Sequence, residues 1–391
     1  MPGPLLLLPS IAHADPASAL DTGDTAWLLV SSAFVLLMTP GLALFYGGMV
    51  RKRNVLSTFM FVHFALAIIT VQWVLIGYSL AFGRSHAGLI GGFDFVGLRG
   101  LVGALHGTVP HLSLHGLPDE VRDHHPGAHR RAFVERMRFT PYVVFALAWT
   151  TLVYDPVAHW AWAEGGWLLR LGLLDFAGGT VVHLTVGIAA LLCALVIGKR
   201  RGYPREKHPP HNLTMTVIGG GLLWFGWFGF NAGSALSANA VAALAFVTTH
   251  VSAASAALAW VIVEWWHRGK PTMLGFVSGL VAITPAAGYV SPAASLLIGA
   301  AAGVGGILGA LLTAVFAQKS LNPGGADGLL AGNAAQPGKQ FIGVGVVGAY
   351  SAIVTYALLK LIDRTMGLRS AKDDELEGLG SSQHGESGYV M

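Results

Sequence analysis

Residues 176–198 read FAGGTVVHLTVGIAALLCALVIG, and the three that follow are Lys199, Arg200 and Arg201. At about 1.5 Å of helical rise per residue, this stretch spans the ~30 Å hydrocarbon core of a bilayer, a crossing that takes about 20 apolar residues. A run that is apolar on every side and ends in a basic cluster is a transmembrane helix. The same pattern recurs near residues 25–49, 56–82, 139–154, 213–235, 240–267, 273–289, 293–317 and 340–362, giving nine clear spans with the first. The fold class that follows is all-α, a polytopic membrane helix bundle. Composition agrees, because 53% of residues are hydrophobic and 11% charged, against about 25% charged in soluble domains. No break marks a separate soluble domain. The organisation expected is an N-terminal segment (1–24), one transmembrane domain (25–362) and a C-terminal tail (363–391). Glycines number 52 and are dispersed, which suits helices whose backbones pack closely where lipid offers no hydrophobic contrast. Cys193 is the lone cysteine, so no intrachain disulfide forms.

The sequence pI of 9.2 raises nucleic-acid binding, and the placement of the basic residues argues against it. They fall in five clusters: Arg51–Arg53; Arg130, Arg131, Arg136 and Arg138; Lys199–Arg201 with Arg205 and Lys207; Arg268 and Lys270; and Lys360, Arg364, Arg369 and Lys372. Each abuts an apolar run, as cytoplasmic flanks do. Neighbouring inside clusters must be separated by an even number of spans. Two intervals obey: two spans lie between Arg138 and Lys199, and two between Lys207 and Arg268. Two intervals fail, with one good span between Arg53 and Arg130 and three between Arg268 and Lys360. A helix is therefore expected to be missing in each.

The first gap contains His106, His111, His115, His124, His125 and His129 among prolines, acids and arginines within residues 106–131. No lipid-facing helix has that composition. A histidine-rich metal site would need ligand spacings that are not there, and the favoured reading is a replaced segment, translated out of frame between two sound regions. At the N-terminus, Leu5–Leu8 and Ala12-His13-Ala14 have the form of a signal peptide without its basic start, the rival being a mis-assigned start codon. Either way the N-terminus is expected outside.

The residues that can carry chemistry lie at span ends. Asp175 can cap the helix that follows it and complement its dipole. His183 sits about two turns further in, at hydrocarbon depth, where an ionisable side chain is costly and marks a pathway or bonds to a neighbouring helix. The stretch Leu222–Ser234, with Trp224, Phe225, Trp227, Phe228 and Phe230 spaced by glycines, ends in Asn231 and Ser234. With Trp160, Trp162 and Trp167 it can form an anchoring belt, the reading given to Trp160, Trp167 and Trp224, or an aromatic cup for a small cation. No paired carboxylates, nucleophile with base or metal-ligand set occurs in any span, so an enzyme and a bound cofactor are not expected.

These stretches resemble the ammonium transporter family, which includes the Rh proteins. The residues that carry the resemblance are Thr39–Gly48, Asp175–His183 continuing to Arg200, Gly229–Ser234 and Ile283–Tyr289. It covers roughly residues 25–100 and 133–391. The resemblance implies an inverted five-plus-five helix repeat with one extra helix, a homotrimer with one pore per subunit, and a multi-pass protein of the bacterial plasma membrane. It implies recruitment of ammonium by Trp162, Ser234 and Asp175, and a pore lined by His183, Trp227, Phe230 and Tyr46 that passes ammonia with a proton. A PII-type nitrogen regulator at the C-terminal tail is a further implied partner, although by composition the tail is a solvated extension.

Departures from the family pattern fall where the charge parity fails. The third helix, with its phenylalanine gate, would occupy 106–131. Ala302–Gly309 joins the ninth helix directly to the tenth, without the intervening loop and the second pore histidine, and a shorter deletion lies between Ser278 and Thr284. Three functions stay open at this point: a competent ammonium channel, a non-conducting ammonium sensor and an inactive remnant.

Overall fold

The computed structural model describes residues 19–113, 135–206, 208–271, 275–304, 308–386 and 388–389. The expected signal segment, and the histidines from His115 to His129, lie outside the described residues. Among the described residues, six helices are long and apolar enough to cross a membrane: α1 (Thr22–Met49), α2 (Lys52–Phe82), α5 (Gly179–Ile197), α6 (Leu213–Gly233), α7 (Ala240–Arg268) and α11 (Gln336–Met366). Between α2 and α5, α3 runs continuously through Phe139–Trp149, Thr150–Tyr154 and Asp155–Trp162, followed by the short α4 (Trp167–Leu171). Polar caps set several starts. The Asp21 carboxylate accepts the Asp24 N–H at 2.8 Å at the head of α1, and Asn212 and Asn239 do the same for α6 and α7, each satisfying donors a helix start leaves open.

Three of the nine expected spans are not among these six: 139–154 falls within α3, and the other two are broken or shortened. The run 273–289 forms only α8 (Phe276–Ile283), and the run 293–317 divides into α9 (Pro292–Val304) and α10 (Gly309–Phe316). At 13 residues α9 reaches about 20 Å, short of a bilayer core. Residues 284–290 leave the helical path inside the bundle, and buried backbone there must find partners. It does: Phe176 N–H donates to the Pro285 carbonyl at 3.1 Å and Ala177 N–H to the Thr284 carbonyl at 3.3 Å. The irregular end of α8 is thereby joined to the irregular start of α5.

Helices α1 and α6 cross at backbone contact. A Cβ on Gly219 would collide with the Phe45 nitrogen and the Gly41 carbonyl oxygen, and one on Gly226 would meet Met38 and the Phe34 carbonyl. Small residues on both helices create this seam. Among the described residues, three π-helical turns interrupt the bundle, at Trp73–Gly77, Thr150–Tyr154 and Gly179–Leu184. The first two face a buried polar pair, with Gln72 Nε2 donating to Asp155 Oδ2 at 2.8 Å and to Thr151 Oγ1 at 3.1 Å.

At one end of the bundle, residues 85–113 form two small hairpins, β1 (Ser85–His86) with β2 (Ile90–Gly91) and β3 (Leu105–His106) with β4 (Val109–Pro110). Val109 and Leu101 are buried, Asp21 N–H donates to the Thr108 carbonyl at 2.8 Å, and His111 Nε2 lies 2.7 Å from the Tyr78 hydroxyl. Among the described residues, no group of three or more metal-ligating side chains occurs. Trp160, expected in an anchoring belt, is instead buried, with its indole N–H donating to Leu89 and its ring 4.8 Å from that of Tyr350.

The opposite end gathers the basic clusters. Glu135 is buried between Arg51 at 3.0 Å and Arg200 at 3.5 Å, and accepts Asn54 Nδ2 at 2.8 Å. Arg136 donates to the Gly198 carbonyl and Arg369 to that of Ile197, so two cations cap the negative end of α5. The tail is docked here, contrary to the solvated extension that its composition suggests. Its helices α12 (Lys372–Glu377) and α13 (Leu379–His384) place Glu375 against Arg369 and Arg201, at 2.6 and 2.9 Å, and bury Leu379. Glycine-rich, charged sequence looks disordered only until its charges have fixed partners. For Glu135, burial raises the carboxyl pKa, but Arg200, Arg51 and the Asn54 amide lower it by more, leaving it below its ordinary value of 4.5. Its contribution to stability is complete above that value and is lost as pH falls through the lower folded value. Hydrogen exchange of the tail amides along an acid titration, corrected for intrinsic rates, should therefore show protection that persists through pH 5 and fails only below the normal glutamate range.

Candidate functional site

Helix α5 does not begin in a regular turn. Gly178 has φ +103°, in the left-handed region that favours glycine, and it turns the chain so that the Asp175 carboxylate faces the new helix start. Oδ2 accepts the N–H groups of Thr180 at 3.0 Å and Val181 at 2.9 Å. Asp175 is buried, so its place in the structure is that of a helix cap. Asp175→Ala should lower thermal stability by about 1–2 kcal/mol, and Asp175→Asn by less, because an amide oxygen still accepts. A melting curve in detergent measures both, and equal losses would contradict the capping role.

The cap sets the π-helical turn that carries His183. Its ring lies 6.0 Å from that of Phe230, nearly parallel at 15°, and 5.5 Å from that of Trp227. Trp227 and Phe230, one turn apart on α6, are themselves 5.5 Å apart. His183 Nε2 is 3.1 Å from Thr284 Oγ1, and the Trp227 indole N–H donates to the same oxygen at 3.0 Å. Trp227, Phe230 and Thr284 are buried, while His183 keeps part of its surface uncovered deep within the bundle. Three residues expected at the pore are thus one cluster, two of them bonded to Thr284, which sequence reasoning did not assign. The signal was available in Ile283-Thr284-Pro285, a hydroxyl at the point where a proline ends an apolar run.

The remaining candidates lie at the capped end of α5 and the adjoining end of α6. Trp162 is half-buried and its indole N–H donates to the Asp175 carbonyl at 3.1 Å. Ser234, also half-buried, donates to the Phe230 carbonyl at 2.8 Å. Their bonds run to these carbonyls, which tie each to the helix that bears His183 or Phe230. Asn231 is buried, its amide donating to Thr249 Oγ1 at 2.9 Å. Tyr46 lies on α1, half-buried, edge-on to Phe45 at 5.4 Å. An aromatic-walled site with one imidazole and a few fixed hydroxyls can hold a small polar species by ring faces and single hydrogen bonds.

A family model described as the Ammonium Transporter Family matches residues 26–305 and 303–389. The chain belongs to the ammonium transporter family. An ammonium transporter of Bacillus subtilis (strain 168) is 42% identical, with 94% of this chain and 98% of that protein covered. One from Aquifex aeolicus (strain VF5) is 44% identical over 99% and 98%. Among solved structures of this transporter family, Saccharomyces cerevisiae Mep2 superposes with a TM-score of 0.84 at 32% identity, covering 90% of this chain and 88% of that one. A structure described as a sensor Amt protein gives 0.83 at 26% identity, covering 92% and 98%. The protein is a polytopic membrane helix bundle of the ammonium transporter type.

Proposed function

We propose that this protein carries ammonium nitrogen across the plasma membrane of a bacterial cell along a passage lined by His183, Trp227, Phe230 and Tyr46. The observation that carries the reading is His183 itself. An imidazole two turns inside an apolar span is costly unless it serves a pathway, and this one lies against two aromatic rings of α6 with part of its surface uncovered. Outside it, Trp162, Ser234 and the capped turn at Asp175 form the recruitment site, where ring faces attract a small cation. A hydrated cation does not enter an apolar passage cheaply, so ammonium gives up its proton at the mouth, ammonia passes, and the imidazole supplies a route for the proton. The basic end is cytoplasmic by the excess of Lys and Arg there, which puts the docked tail inside, where a PII-type regulator could reach it, and the N-terminal segment outside. The functional unit is a homotrimer with one passage per subunit.

The two sequence departures enter the same reading. The family model matches in two segments that meet at 303–305, and α9 and α10 are both short there, as a lost loop would leave them. In this reading the sequence of residues 106–131 replaces that of the third helix. His183 then works as the single imidazole of its passage. Cells lacking other ammonium uptake and expressing this chain should accumulate labelled methylammonium, with excess ammonium competing. Membrane-inserted protein without uptake would end the transport reading.

A further inference from the structure

We infer that Thr284 is a positioning residue for His183, fixing the imidazole with its proton on Nε2 and leaving Nδ1 as the ring's proton acceptor. The inference rests on the pore reading of His183 only for its effect on transport, because the geometry stands by itself. Thr284 Oγ1 has three polar neighbours: the Leu280 carbonyl at 2.8 Å, Trp227 Nε1 at 3.0 Å and His183 Nε2 at 3.1 Å. A hydroxyl has one proton to donate and two lone pairs to accept with. An indole N–H can only donate, so Trp227 occupies one lone pair. The carbonyl can only accept, and as the shortest contact, one helical turn back, it takes the hydroxyl proton. The remaining lone pair faces Nε2. Two lone pairs cannot share that contact, so Nε2 must carry the ring proton and donate it. The second nitrogen is then the unprotonated one.

Thr284 is well built for this task. It is fully buried, and its own carbonyl and that of Pro285 are held by the Ala177 and Phe176 N–H groups. Its oxygen therefore has a fixed position against which both pore side chains register. One hydroxyl sets the tautomer of His183 and the tilt of Trp227 together.

Nitrogen-15 spectra of histidine-labelled full-length protein in lipid, with the His183 signals assigned by their loss in His183→Ala, test this directly. The expected wild-type pattern is a protonated Nε2 and an unprotonated Nδ1. Thr284→Val should shift His183 toward the Nδ1-protonated form and cut methylammonium uptake about tenfold, the lower figure for removing a partner that orients a metal-bound imidazole. Thr284→Ser should keep the wild-type spectrum and most of the uptake. A protonated Nδ1 in the wild type overturns the assignment, whether or not the variants fold. So does an unchanged spectrum in folded Thr284→Val. Wild-type protein with the expected spectrum and no uptake would sustain the positioning role and refute transport instead.

Discussion

Gly219→Val is expected to leave almost no folded protein in the membrane, whereas Gly221→Ala, two residues away, should behave as wild type. At position 219 any Cβ falls onto the Phe45 nitrogen and the Gly41 carbonyl of the facing helix. Overpacking against side chains costs about 1–3 kcal/mol when they can rotate away. Backbone atoms have no rotamer to adopt, so α1 and α6 must separate, and a cost above that range follows. A methyl added at Gly221 would meet nothing within 4 Å, so its alanine variant controls for helix propensity alone. Size-exclusion profiles and thermal melts of both variants read the difference. A folded, wild-type-like Gly219→Val would show that the α1–α6 crossing does not hold the bundle together.

The second large effect belongs to Glu135. Its carboxylate is buried while Arg51 and Arg200 remain about a quarter exposed. Glu135→Ala leaves two guanidiniums facing each other and the Asn54 amide without its acceptor. Breaking a buried ion pair from one side costs about 3–5 kcal/mol, and partial access to water keeps this case near the lower figure. Asn54 also accepts the Leu379 N–H at 2.9 Å, so the loss should spread to the tail. Limited proteolysis should cut residues 372–389 faster in Glu135→Ala, with a lower melting temperature. A tail equally protected in both proteins would separate the ion cluster from tail docking.

The parts of this molecule that are legible in its sequence are those set by solvent. Apolar runs closed by basic clusters identify α1, α2, α5, α6, α7 and α11, because lipid imposes composition on a spanning helix whatever it packs against. His183 stands out for the same reason. What sequence does not yield depends on partners distant along the chain. Pro285 marks the end of α8, but the path of the chain beyond it is held by backbone bonds from Phe176 and Ala177, more than a hundred residues earlier. Trp160 has the composition of an interfacial anchor and is buried because Leu89 supplies its acceptor. The tail has the composition of a solvated segment and is docked because Arg369 and Arg201 converge on Glu375. Thr284 belongs to a recognisable stretch, but its task emerges only when Trp227 and His183 arrive at one oxygen from two other helices.

The central claim is that ammonium nitrogen passes this protein at His183, and reconstitution into liposomes tests it most directly. An inward gradient of labelled methylammonium applied to vesicles containing the wild-type protein should produce a saturable uptake well above protein-free vesicles, and His183→Ala should reduce it to the protein-free level while inserting and melting normally. Uptake by His183→Ala equal to that of the wild type would contradict the account, since ammonium would then be crossing without the imidazole on which the passage is built.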